Sequence, residues 1–341
     1  MMNKQLGVCV VGAGMMGTLH AQRWNRVPHA QVVAVVDIQA DRAKKLAHDF
    51  AINHSYTDYK HAISQPEVHV VSVCVPTHLH AEVAIFAAEQ GKHVLCEKPV
   101  ALTLREADAM IEAAQKHNVR LSVGFMRRYS LVHEELRAWL AAGELGRPVM
   151  YHAVDLREIR AERELHDAHA SGGPILDIAV HHFDGWAHAF DSHPVQVFAH
   201  AHKLAQGRPE LGHIKELAYD TATIVVRYAS GDTGTFVVSW GLPPGVNPPP
   251  VPDQILGPKG LAELQYHIAF QQLRVLKEGN QWSTVSAAET DLYQAEVQTF
   301  ADCIVGAPNE QAPATGEDGK AALKVALAAL QSLETGQAVN L

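Results

Sequence analysis

The chain has no apolar run near the ~18 residues that a membrane-crossing helix requires, so no helical span is expected. It has 4 cysteines among 341 residues, none in C-x-x-C spacing, which argues against a disulfide scaffold or a zinc ribbon. Cys9, Cys74 and Cys96 sit inside apolar runs and, with Cys303, are expected to be free thiols in a reducing cytoplasm. Basic excess is also missing. Lys+Arg is 28 against 37 Asp+Glu, a net charge of −9, which excludes a general nucleic-acid binder with a basic face. No internal repeat is present. The strand-like run Leu6–Val11 begins almost at once, so no secretory leader is expected.

What is there is ordinary globular material, 47% hydrophobic and 19% charged, with 22 histidines spread along the chain. The length suggests two domains, at roughly 100–200 residues each. Through residue 125, short Val-rich runs (Leu6–Val11, Gln31–Asp37, Val68–Val75, His93–Cys96, Val119–Gly124) alternate with helical patterns (Met15–Arg26, Gln39–Phe50, His78–Gln90, Leu104–His117). Continuous apolar strands between helices predict a doubly wound parallel sheet, an α/β fold. Beyond it, Ser130–Ala142 reads as a helix stopped by Gly143, followed by a strand at Val149–Leu156. Strands are then expected at Val195–His200, Thr223–Tyr228, Thr235–Trp240, Gly260–Ile268, Leu273–Lys277 and Trp282–Val285, with a hairpin at Ser230-Gly231-Asp232. Short turns between sequential strands predict an α+β domain with an open, mainly antiparallel sheet. The expected domains are 1–125 and 126–341. The closing helices Leu292–Ile304 and Lys320–Leu333 are free to pack back on the first. Segment Leu242–Pro252 holds six prolines and reads as a loop.

Gly12-Ala13-Gly14-Met15-Met16-Gly17 matches G-x-G-x-x-G between a predicted strand and a predicted helix. Glycine at the first position allows the tight turn. At the second it admits a pyrophosphate to the backbone, and at the third it lets helix and strand pack closely. Asp37 ends the next strand 20 residues after Gly17, where a carboxylate accepts from a ribose diol. The competing reading is a glycine turn with no nucleotide. A carboxylate at this place repels a 2′-phosphate, and the adjacent Ile38 brings no cation, which favours NAD over NADP; Arg42, a turn further on, is the residue that would compensate.

Glu97-Lys98-Pro99 follows the strand His93–Cys96. At the carboxyl end of a parallel strand, Lys98 is placed to hydrogen-bond an alcohol or carbonyl oxygen and stabilise developing charge; the alternative is a solvated surface lysine. In Gly172-Gly173-Pro174-Ile175-Leu176-Asp177-Ile178-Ala179-Val180-His181-His182-Phe183-Asp184, Asp177 and His181 are spaced i, i+4 and Asp184 continues that face. A carboxylate beside an imidazole suits a general base; a capped helix with packed histidines fits the same residues. Asp177, His181 and Asp184 also have metal-ligand chemistry, but no further ligand set accompanies them and no metal is expected.

Together, Gly12–Gly17, Glu97-Lys98-Pro99 and Gly172-Gly173…Asp177…His181 resemble the glucose–fructose oxidoreductase/inositol dehydrogenase/rhizopine catabolism (Gfo/Idh/MocA) family over essentially the whole chain. Val75-Pro76-Thr77…His80 and Ile255-Leu256-Gly257-Pro258-Lys259-Gly260 extend the resemblance. It implies a catalytic set of Lys98, Asp177 and His181. It implies cofactor contacts from Gly12, Gly14, Met15, Met16, Gly17, Asp37, Ile38, His80, Glu97 and Lys98, with Pro76 and Thr77 by the nicotinamide. Gly124-Phe125-Met126-Arg127-Arg128-Tyr129 is similar to the inositol dehydrogenase branch, which implies that Arg127 lies beside the substrate; an inter-domain salt bridge is its other reading. Asp155-Leu156-Arg157, with Asp155 as a further substrate candidate, departs from that branch, whereas Tyr219-Asp220-Thr221-Ala222 fits the family pattern structurally. The expected activity is NAD-dependent oxidation of a secondary alcohol on a cyclic polyol or sugar, by a homodimer or homotetramer joined through the second domain's sheet. Two other classes stay open: an NAD-dependent glycosidase acting through transient oxidation, and a non-catalytic nucleotide-sensing regulator.

Overall fold

A computed structural model describes residues 5–266, 270–276, 279–308 and 311–341. It divides the chain into two compact units. One takes the chain up to Met126 together with Leu292–Lys320, and the other takes Arg127–Asp291 with Ala321–Leu341. The second domain expected over 126–341 therefore gives up Leu292–Lys320 to the first unit.

In the first unit, strands β1 (Leu6–Val11), β2 (Ala30–Val36), β3 (His54–Tyr56), β4 (Val70–Val73), β5 (His93–Cys96) and β6 (Leu121–Val123) form a sheet in the order β3-β2-β1-β4-β5-β6. All its pairings are parallel among the described residues. β1 and β4 are buried along their whole length, which is why their sequences are continuous in valine rather than alternating. Five helices alternate with these strands: α1 (Met15–Trp24), α2 (Ala40–Asp49), α3 (Tyr59–Ile63), α4 (His80–Glu89) and α5 (Leu104–Lys116). α5 opens with a reciprocal capping box between Thr103 and Glu106. Strand order reverses direction between β1 and β4. The loops leaving β1, β2, β4 and β5 thus gather at one carboxyl edge of the sheet.

The second unit begins its regular structure with α6 (Leu131–Ala141), capped by Ser130. Strand β7 (Met150–Glu158) and helices α7 (Gly173–Asp177) and α8 (Ala179–Phe190) follow. Seven further strands are β8 (Pro194–His202), β9 (Thr221–Tyr228), β10 (Thr233–Leu242), β11 (Asp253–Gly257), β12 (Gly260–Tyr266), β13 (Gln271–Leu276) and β14 (Trp282–Ala288). With β15 (Val339–Asn340) they form one sheet, β14-β13-β12-β11-β7-β10-β9-β8-β15. Its pairs are antiparallel except β7 with β10, where a pair outside the sequential order runs parallel. Side chains alternate. Tyr151, Val197, Ile224, Phe236, Val238, Ile255 and Leu273 are buried on the inner face, while Met150, Phe198 and Leu256 stand exposed on the other. Gly234 admits the Trp186 ring: a Cβ there would lie 2.2 Å from it. The expected ends Ile268 and Lys277 lie outside the described residues. Residues 243–252 carry no regular element, and Gly245 N–H donates to Glu158 Oε2.

Two helices close the chain. α9 (Leu292–Val305) belongs to the first unit, where Val297, Phe300 and Ala301 pack with Val8, Val10 and Trp24. α10 (Gly316–Thr335) starts four residues before its expected beginning at Lys320. Thr315 and Asp318 cap it reciprocally.

Candidate active site

The first unit builds its part of the site from backbone. Gly12 has φ +106°, and a Cβ there would lie 2.4 Å from the Cys74 carbonyl oxygen, so only glycine holds this turn. A Cβ on Gly17 would lie 1.7 Å from the Gly12 carbonyl oxygen, so α1 sits directly on the turn. Gly14 differs. A Cβ there meets nothing within 4 Å, which leaves the backbone open to an approaching group. No side chain caps α1 and no acid occupies its first turn. The N–H groups of Met15, Met16 and Gly17 therefore offer an anion their positive end. Asp37 leaves β2 beside this turn: Ala13 N–H donates to its Oδ2 at 2.9 Å and Gln39 N–H to its Oδ1 at 2.8 Å. Each carboxylate oxygen keeps a second lone pair, and the neighbouring Ile38 is 89% exposed. These residues fit a dinucleotide: open glycine backbone for the pyrophosphate, a helix N-terminus, and a fixed carboxylate for the ribose.

At the same edge, Thr77 is buried after Pro76, and Lys98 is half-buried after β5. His80 and Glu97, expected among the cofactor contacts, have side chains that bond protein groups. Both ring nitrogens of His80 face main-chain carbonyls, Nδ1 at 2.8 Å from Pro99 O and Nε2 at 2.9 Å from Val75 O, with the ring buried. It ties the loop after β4 to the loop after β5. Burial, against these two carbonyls, keeps its pKa below the usual histidine value. Glu97 points inward. Its Oε2 accepts the Lys98 N–H at 3.1 Å and its Oε1 lies 3.0 Å from His20 Nε2.

In the second unit, Gly172 (φ +79°) and Gly173 (φ +72°) turn the chain into α7. A Cβ on Gly173 would lie 2.6 Å from that of Ala218. The expected single helical face is corrected here. Asp177 ends α7, Ile178 interrupts the helix, and His181 falls in the first turn of α8. Asp177 is half-buried and His181 buried. Arg128 grips Asp184 with Nε at 2.9 Å from Oδ2 and Nη2 at 2.6 Å from Oδ1. Arg127, the expected substrate residue, is held inside this unit. Its guanidinium lies 4.5 Å from the Tyr266 ring centre, and Nη1 donates to His182 Nε2 at 3.1 Å. Burial first, and then Arg127, pushes the His182 pKa well below its usual value, so the ring accepts that bond as a neutral base. Asp155 is paired with Arg157 at 2.5 and 2.6 Å. Tyr151 donates to Asp253 at 3.0 Å, and burial pushes the Asp253 carboxyl up to about 6. Asp220 is structural, accepting from Leu204 N–H, Ala205 N–H and Thr221 Oγ1.

The first unit thus has the strand order and glycine turn of a dinucleotide-binding oxidoreductase domain. Residues 6–125 match the oxidoreductase family with an NAD-binding Rossmann fold, and residues 133–263 match the GFO/IDH/MocA C-terminal domain. The chain belongs to the Gfo/Idh/MocA family of NAD-binding oxidoreductases. It is 31% identical to an uncharacterized oxidoreductase, YrbE, of Bacillus subtilis, over 100% of this chain and 98% of that one. It is 30% identical to a myo-inositol 2-dehydrogenase of Thermotoga maritima, over 97% of each. A crystal structure of a probable dehydrogenase from Thermotoga maritima superposes with TM-score 0.76 at 29% identity, covering 98% of both chains. Among the described residues, no helix is long and apolar enough to cross a membrane.

Proposed function

We propose that the protein oxidises a secondary alcohol on a cyclic polyol or sugar, reversibly, with NAD as the hydride acceptor. The observation that carries this reading is the placement of Lys98. It leaves β5 at the carboxyl edge where the glycine turn and Asp37 also lie, with its main-chain N–H fixed by Glu97. Similarity to a myo-inositol 2-dehydrogenase supports the substrate class. In the forward direction His181 takes the hydroxyl proton and Asp177 orients its ring. Lys98 hydrogen-bonds the same oxygen and stabilises the charge that develops there. Bound NAD supplies the acceptor for the hydride that leaves the carbon. The oxygen chemistry is thus carried by the lysine and the histidine. Asp37 selects the ribose diol over a 2′-phosphate. We further propose that a second copy of the chain covers the outer sheet face where Met150, Phe198 and Leu256 are exposed.

The test is turnover of purified protein with NAD⁺ or NADP⁺ across inositols, aldoses and anhydrosugars, followed by absorbance of the reduced cofactor. Turnover with NAD⁺ on one compound class is expected. Hydrolysis of a chromogenic glycoside without accumulation of reduced cofactor would replace this reading by the glycosidase one. NADH binding with no turnover on either test would favour the regulator.

A further inference from the structure

α9 crosses the first unit with an apolar stripe, Leu292, Val297, Phe300 and Ala301, all buried. Glu296 stands in that stripe, one turn from Leu292 and one from Phe300, and it is 0% exposed. Among the described residues, neither of its carboxyl oxygens has a hydrogen-bond partner. Its oxygen, a Glu97 oxygen and a His20 ring nitrogen all lie within 4.8 Å of one another. The site around Glu97 is closely built. A Cβ on Gly124 would lie 3.2 Å from the Glu97 carboxylate, so glycine makes the room it occupies. His20 is 1% exposed and is oriented by Ser72 Oγ, 2.6 Å from its Nδ1; Trp24 Nε1 donates to that hydroxyl at 3.3 Å.

Charge decides the protonation. Two ionised carboxylates beside one imidazolium would leave an uncompensated negative charge in a site shielded from bulk water, a strongly disfavoured state. One proton on Glu296 and one on His20 make the cluster neutral.

We propose that Glu296 is a positioning residue for Lys98: its neutral carboxyl shares its proton with the Glu97 carboxylate through one bridging water, and with His20 clamps Glu97 so that Glu97 holds the Lys98 main-chain N–H. The groups facing Glu296 are Glu97 from the end of β5 and His20 from α1, with Cys74 beside His20 and Lys98 beside Glu97. The directions agree. Burial, reinforced by Glu97, pushes the Glu296 pKa well up. Burial alone would lower His20 and raise Glu97. Cys74 and Glu97 outweigh it at His20, which is raised; His20 and Lys98 outweigh it at Glu97, which is lowered. The proposal rests on the reading of Lys98 as the residue that polarises the substrate oxygen.

Two readouts separate it from that reading. The first is infrared absorption of a protonated carboxyl at about pH 8, well above the ordinary glutamate range near ~4.3. The band is expected in the native protein and in Lys98→Met, and is expected to vanish in Glu296→Gln. The second is kinetic. Glu296→Leu is expected to lower kcat about ten- to a hundredfold, the scale of a small misplacement, with NADH affinity unchanged, while Glu296→Gln brings kcat back to within about threefold. A band that survives in Glu296→Gln, a kcat unchanged in Glu296→Leu, or near-stoichiometric divalent metal in the purified protein would overturn the proposal. Unaltered turnover in Lys98→Met would overturn the catalytic reading and the positioning role with it, while leaving the band as the mark of a neutral carboxyl.

Discussion

In the first unit the candidate chemistry rests on the main chain. Gly12, Gly14 and Gly17 shape a turn, α1 presents its N–H groups, and the side chains involved are held by main-chain groups: Asp37 by two N–H donors, His80 by two carbonyls. In the second unit it rests on side chains. Asp177 and His181 come from two helices separated at Ile178, and the second helix also carries Asp184, paired with Arg128, and His182, bonded to an Arg127 that lies over the Tyr266 ring. Backbone that must bind a constant nucleotide leaves a spacing motif in the sequence. Side chains that suit a particular substrate leave only residue types, and their partners come from distant strands and helices.

Substitutions sharpen this contrast. The largest effect is expected from Lys98→Met, which removes the proposed donor to the developing oxyanion. It should lower kcat about 10³-fold while NADH affinity, which the glycine turn provides, stays within about threefold. Stopped-flow turnover and fluorescence titration of NADH measure the two separately. Next is Arg128→Ala, which removes the guanidinium that neutralises the buried Asp184. The expected cost is about 3–5 kcal/mol of stability, read as a lower urea midpoint in tryptophan fluorescence. That signal reports mainly the second unit, which holds Trp139, Trp186, Trp240 and Trp282 against Trp24 in the first.

Asp37→Ala should weaken NAD⁺ binding about ten- to a hundredfold, the loss of charged hydrogen bonds. NADP⁺ binding should weaken less, so the ratio of the two dissociation constants shifts toward NADP⁺. The smallest effect concerns pH. Burial holds His166 at about 4 and His133 at about 3, both in the second unit. Each binds its proton more readily when unfolded, near ~6.5. Their contribution is therefore present above that value and lost as pH falls toward the folded pKa, by up to about 1.4 kcal/mol per pH unit for each group. Urea midpoints measured between about pH 7 and pH 5 should fall, and His166→Gln should flatten the slope.

The same contrast explains what was legible. The Val runs, the Thr103–Glu106 cap, the helix near Ser130–Ala142 and the hairpin at Ser230-Gly231-Asp232 are local signals, and each appears in the structure. β3 was not legible because His54-Ser55-Tyr56 is a polar edge strand with no buried face to pattern it. The parallel β7–β10 pair joins strands far apart in the chain, and no turn announces it. No glycine or proline marks the helix break at Ile178. The start of α10 did carry a signal, Thr315 three residues before Asp318, as did Glu296, an acid at helical spacing within an apolar stripe.

Lys98 and His181 are proposed to serve one oxidation step, as oxyanion donor and general base. A double-substitution cycle of Lys98→Met and His181→Ala tests this most directly, using kcat/KM for the polyol that turns over best. Residues that act as one assembly are strongly non-additive. The double variant is expected to be at most about tenfold slower than the slower single variant. Losses that multiply in full would show that the two residues act independently and would contradict the proposal.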